Sequence, residues 1–137
     1  MSKYYFISNR RLREEILYPR IPRNRLTESG REDNKTPRIC VSKSIIGCLQ
    51  STSTYETRKI LYLYSCEVED KFVIQPTERQ VSDAKFTGEE WIISPAKFSL
   101  ETILHISKEN ITEDYIKYII KDKESLGFFH LELVQHI

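Results

Sequence analysis

The stretch ILYLYSCEVE, residues 60–69, sets Leu61, Leu63 and Ser65 against Tyr62, Tyr64 and Cys66 in strict alternation. Side chains of an extended chain point to opposite faces at every step, so this is the clearest strand signal in the sequence. KYYFIS (residues 3–8), with its aromatic and β-branched residues, reads as an opening strand ended by Asn9 and the arginines after it. PRICVS (37–42) reads as a short buried strand, and KFVIQPT (71–77) as another that could pair with 60–69 in a hairpin if the EDK turn is tight. Two more strands are expected around Trp91 to Ser94 and Ile103 to Ser107, with Gly88 as a turn or bulge before them. FFHLELVQHI closes the chain as an alternating strand with Phe129, Leu131 and Leu133 on one face.

Helical signals are fewer. SKSIIGCLQS (42–51) predicts a brief helix with Ser42 or Ser44 as its N-cap, and STSTYETRK after it reads as polar loop. ENITEDYIKYIIKDKESLG (109–127) predicts a longer helix: Asn110 or Thr112 can cap it, Tyr115, Ile116, Ile119 and Ile120 form one stripe, and Gly127 can end it. The expected fold is therefore a single α+β domain over 1–137, with six or seven mostly antiparallel strands and two or three short helices. Residues 9–36 are expected as a long Arg/Pro-rich loop, because YPRIP and ESGREDNKTP break any helical path. Loops that long are usually functional or disordered.

Formal charge is +1 over 137 residues, with 30% charged and 39% apolar residues, which excludes a whole-protein polyanion binder and a disordered chain. The balance is local. Residues 10–38 hold nine Lys and Arg against five Asp and Glu, a charge of +4, and residues 39–137 sum to −4. No apolar run approaches the length of a membrane span and the N-terminus lacks signal-peptide features, so a cytoplasmic protein with no membrane partner is expected. Cys40, Cys48 and Cys66 form no CxxC pair and read as small buried apolar residues; neither a disulfide framework nor a metal site is expected.

Eight of the ten arginines lie between Arg10 and Arg38. Arginine presents a rigid fork of donors that matches phosphate or carboxylate, which a lysine point charge does not. Pairing with Glu14, Glu15, Glu28, Glu32 and Asp33 in a solvated loop is the plain alternative. Arg20, Arg23, Arg25 and Arg38, beside prolines or at a strand edge, are the strongest candidates for holding an oxyanion. Ser42 and Ser44 at a helix start could serve an anion or simply cap the helix. In FTGEEW one of Glu89 and Glu90 should point inward, where a carboxylate beside Trp91 could act as a base or accept from ribose hydroxyls; the alternative is a solvated acidic turn. Tyr5 and Trp91 could stack on a base, although aromatic strand residues are more often core. His105, His130 and His136 are too dispersed for a metal, and no HExxH, catalytic Ser-His-Asp spacing or P-loop is present.

YYFIS, RICVSKSIIGCL and DAKFTGEEW, spread over residues 3–98, resemble in order the three strand motifs of ADP-ribosyltransferases and RNA 2′-phosphotransferases. That resemblance implies an ADP-ribosyltransferase-like fold, NAD or an ADP-ribose-like nucleotide as ligand, Ser42 as the strand serine and Glu89 or Glu90 as the catalytic acid. Phe6 stands where the transferases keep histidine, and only Arg10 or Arg11 could replace their arginine, a departure that weighs against catalysis more than against binding. The PRIPRNRL and EDNKTPRICVS arrangement also resembles small proteins of phages and prophages, which would place the protein in a host cytoplasm.

The expected function is thus a phage-type accessory protein that binds a phosphorylated NAD-derived nucleotide and sequesters a host defence signal. Arg10, Arg20, Arg23, Arg25 and Arg38 would hold phosphates while Tyr5 or Trp91 stacks. One alternative is a mono-ADP-ribosyltransferase or phosphotransferase-like enzyme, in which Glu89, Glu90 or Ser42 would serve the reaction. Another is an inhibitor docking on an acidic host protein. Nucleic acid is a weak fit to so diluted a charge, and the pattern permits a homo-oligomer without requiring one.

Overall fold

The computed structural model describes residues 1–21, 35–52, 54–76, 88–122 and 129–137. Ten strands are formed among them: β1 (Ser2–Ser8), β2 (Ile16–Leu17), β3 (Ile39–Ser42), β4 (Ile60–Val68), β5 (Val73–Ile74), β6 (Glu89–Ile92), β7 (Ala96–Lys97), β8 (Ser99–Asn110), β9 (Tyr115–Asp122) and β10 (His130–His136). Eight make one sheet in the order β10-β9-β8-β4-β1-β3-β6-β5, every neighbour antiparallel, and β2 pairs with β7 as a separate ribbon. The sheet curls into a half-barrel. One α-helix, α1 (Ile45–Thr52), packs against β1, β3 and β6.

This corrects the expected α+β arrangement of six or seven strands with two or three helices. The largest change is at 109–127, expected as a helix. Residues 99–122 instead form the β8–β9 hairpin, in register from Asn110↔Ile116 to Leu104↔Asp122. The stripe Tyr115, Ile116, Ile119, Ile120 fits a helical period, but Ile116, Tyr118 and Ile120 also alternate, and they are the residues that join the core. β-Branched and aromatic side chains pack well on a pleated surface and lose rotamer freedom in a helix, so the tertiary partner β8 decides the matter. The turn 111–114 is built locally, with Thr112 Oγ1 accepting from the Asp114 N–H at 3.2 Å. A second correction concerns β5, which pairs with β6 and not with β4.

Alternation gives the sheet two apolar faces. Tyr4, Ile39, Val41, Tyr64, Cys66 and Ile92 point to one, covered by Phe98, Leu12 and Leu17. Ile7, Leu61, Leu63, Leu104, Tyr118 and Ile120 point to the other, covered by Cys48 and Leu49 of α1 and by Tyr55. Tyr55 sits in a stretch expected as polar loop, yet it is buried edge-on to Tyr118. Truncating a fully buried Leu61 or Leu104 to alanine should cost about 2–5 kcal/mol.

The first part of the expected loop is a strap. The Leu12 N–H donates to the Tyr64 hydroxyl at 2.8 Å, β2 pairs with β7, and the Phe98 N–H donates to the Glu15 carbonyl at 2.7 Å. At its end Arg20 and Arg38 exchange two backbone hydrogen bonds of 3.1 and 2.9 Å. Arg20 and Arg38, at either end of the arginine-dense stretch of sequence, therefore lie side by side next to β3.

Candidate functional site

The site begins with register. Residues opposite each other in an antiparallel pair share a face. Tyr5 lies opposite Ser42, Ser42 opposite Glu89, Cys40 opposite Trp91 and Arg20 opposite Arg38. Arg38, Cys40 and Ser42 alternate onto one face of β3, so Tyr5, Arg20, Arg38, Ser42, Glu89 and Trp91 all belong to the face that carries α1. Six of the ten residues singled out in the sequence share one face in this way.

Glu90 and Arg10 do not share it. Glu90 lies opposite Val41 on the other face of the sheet, beside Tyr4. Arg10 is exposed just past β1, where its N–H donates to Ser8 Oγ at 3.3 Å and its carbonyl accepts from that hydroxyl at 2.6 Å. Arg23 and Arg25 lie outside the described residues.

At the centre, the Arg38 guanidinium carbon sits 4.0 Å from the centre of the Trp91 ring, and both side chains are buried. Arg38 Nη1 donates to the Thr36 carbonyl at 3.0 Å. At the ring edge the Trp91 indole N–H donates to Glu89 Oε2 at 3.0 Å, which fixes the orientation of a half-buried carboxylate. A guanidinium is planar and weakly hydrated, so it can be desolvated on an aromatic face where an ammonium could not. Arg38 is thus a buried brace. Arg20, directed to the same face by the bridge, stays exposed.

Ser42 and Ser44 are used by the chain itself. The Gly47 N–H donates to Ser44 Oγ at 2.9 Å, which makes Ser44 the N-cap of α1, and the Ser44 N–H donates to Ser42 Oγ at 3.3 Å. Gly88, at φ +64°, takes the turn into β6 in a conformation that L side chains rarely adopt. The Cys48 thiol donates to the Tyr5 carbonyl at 3.0 Å, tying the helix to β1.

Glu90 is the inward member of the acidic pair. Gln75 Nε2 donates to its Oε1 at 3.3 Å. Burial, and after it the Glu90 charge, push the Tyr4 phenol above its ordinary value, while Lys43 and a hydrogen bond with Ser2 pull it down. Gln75 and Tyr4 are neighbours of this acid that no motif in the sequence points to. Strand parity is the available signal for Tyr4, which follows from the register of β1, β3 and β6.

Chemically, the two adjacent acids meet different surroundings and cannot act on one substrate together. The α1-bearing face offers a half-exposed carboxylate, a phenol and an exposed guanidinium around a rigid Arg38–Trp91 pair. Among the described residues no group of three His, Cys, Asp or Glu side chains is placed to hold a metal ion, and no helix is long and apolar enough to cross a membrane. Compared with family models, curated proteins and solved structures, the chain matches none.

Proposed function

We propose that this protein is a binding module for a phosphorylated, NAD-derived or related nucleotide, held on the α1-bearing face at the root of the arginine segment. The observation that carries the reading is the Arg20–Arg38 bridge, with Arg38 stacked on Trp91 and Trp91 bonded to Glu89. It joins the most arginine-dense part of the chain to a carboxylate whose direction is fixed. Arg20, with Arg23 and Arg25 from the same stretch of sequence, would take the phosphate oxygens, and Glu89 would accept from ribose hydroxyls. Base stacking falls to Tyr5, because Trp91 is fully buried under Arg38. Binding is favoured over turnover because Glu89 and Glu90 face opposite ways and both serines are engaged at the helix start. Such a module would work by withholding the nucleotide, as in the sequestration role expected for a phage-type accessory protein.

Thermal unfolding with ADP-ribose, NAD, ATP and inorganic phosphate, followed by chromatography of each nucleotide, tests this. A ligand at about 100 times its dissociation constant stabilises by about 2.7 kcal/mol, a rise of roughly 8 °C for a domain of this size. A rise with one nucleotide, lost in Arg20→Glu and accompanied by no turnover, is the expected result. A melting temperature indifferent to all four ligands overturns the proposal, and conversion of the nucleotide replaces it with the transferase or phosphotransferase alternative.

A further inference from the structure

β10 ends the sheet on one side, with no strand beyond it among the described residues. Its backbone phase is fixed at both ends: the Phe129 carbonyl accepts from the Asp122 N–H, and the Ile137 N–H donates to the Asp114 carbonyl. Between them the register with β9 runs unbroken from His130↔Lys121 to His136↔Tyr115. Hydrogen-bonded pairs alternate along an antiparallel ladder, so the odd-numbered residues of β10 bond to β9. His130, Glu132, Val134 and His136 turn their N–H and carbonyl groups outward.

Free edges of this length are normally blunted by proline, by charged side chains, above all lysine, or by a bulge. β10 has no proline, lysine or bulge, and its one carboxylate, Glu132, lies within ion-pair reach of Lys117 and His130. The edge at the opposite end, β5, is only two residues long. Val134 is 57% exposed and Ile137 68%, so this edge also carries apolar surface.

We infer that β10 pairs antiparallel with β10 of a second copy, about a two-fold axis through Val134, so that the two sheets run on into one. In that register Val134 meets its own symmetry mate as a hydrogen-bonded pair. On the same face Glu132 meets His136 of the partner subunit, a carboxylate against an imidazole N–H, and the symmetry repeats the pair on the other side. On the opposite face Leu131 meets Ile137 of the partner subunit and continues the core in which Leu131 and Leu133 already take part. The neighbouring registers are poorer. An axis at Leu133 sets His130 against His136 and Glu132 against Val134, and an axis at Glu132 sets that carboxylate against itself. Only the Val134 axis matches opposite partners and covers both exposed apolar residues. A seven-residue edge is small beside a standard interface, so the dimer forms as concentration rises and is not obligate.

Sedimentation equilibrium of the whole chain over a wide concentration range is the test. The mass is expected to rise from 16.3 kDa toward twice that value. Val134→Pro removes only an outward N–H and leaves the β9 ladder intact, so a chain that keeps its circular dichroism should dissociate at least tenfold more readily. Should proline disturb the fold, Glu132→Lys and His136→Glu give the same information: each alone weakens the dimer, and together they restore it by exchanging the signs of both pairs. A chain that stays monomeric at every concentration, a folded proline variant that dimerises like the parent, or a double variant no stronger than the single ones overturns the inference.

Discussion

Arg38, just before β3, and Trp91 of β6 form a buried stack with the guanidinium carbon 4.0 Å from the ring centre. The pair lies across β3 and β6, next to the Arg20–Arg38 bridge. A cation so placed acts through its flat hydrocarbon-like bulk as well as through its charge.

Arg38→Ala should therefore cost about 3 kcal/mol in urea unfolding, because it leaves a void against the indole and removes the stack. Arg38→Met keeps the stem and discards a charge that was costly to desolvate, so its loss should stay under about 1.5 kcal/mol. Equal losses in the two variants would show that the charge, not the packing, holds the site.

The cysteines should be unreactive in the native state. Burial pushes the Cys48 thiol up to about 12, despite a backbone hydrogen bond at Ser42 that lowers it, and pushes Cys66 up to about 11. Thiolate is the reacting form, so at pH 8 a thiol reagent should modify no more than Cys40, which is only half buried, until denaturant is added. Rapid labelling of all three thiols in the folded protein would contradict the burial of β4 and α1.

Acid stability should depend on Glu101. The Ser65 hydroxyl, and after it Lys3 at 3.0 Å, donate to its carboxylate and hold it below the ordinary range. A carboxyl whose folded value is depressed contributes stability that is present above its unfolded value, near 4.3, and is lost as pH falls through the folded value. Glu101→Gln should flatten the stability profile below about pH 4.5 relative to the parent. The effect is small, since the pair is largely solvated. A profile unchanged by the substitution would remove this pair as a contributor.

The start of α1 gives a local test. Ser44→Ala removes the acceptor for the Gly47 N–H and should cost about 1 kcal/mol, whereas Gly88→Ala should cost about 1–2 kcal/mol through its left-handed φ alone, since a Cβ there would meet Ser42 Oγ at an ordinary 3.6 Å. Chemical denaturation of the two variants checks both values.

Much of the sheet was legible from period two. The strands at KYYFIS, ICVS, ILYLYSCEV and HLELVQH, and the helix capped by Ser44, follow directly from alternation and cap chemistry. The β9 segment was not, because Tyr115, Ile116, Ile119 and Ile120 fit both periods and only pairing with β8 separates them. β2 and β7 are two residues each, too short to show a period. In the site, parity correctly sent Glu89 and Glu90 to opposite faces. The burial of Arg38 was hidden, since no local pattern tells an arginine braced on a ring from one in water.

The single tryptophan lies at the heart of the proposed site, and its indole N–H already reports on Glu89. Titrating ADP-ribose while following that one indole resonance by two-dimensional NMR tests the central claim most directly. The account predicts a saturable shift that is lost in Arg20→Glu and reduced in Glu89→Gln but kept in Glu90→Gln, whose carboxylate lies on the far face. An indole signal that does not move at saturating ADP-ribose, NAD or ATP, or one that moves equally in all three variants, would contradict it.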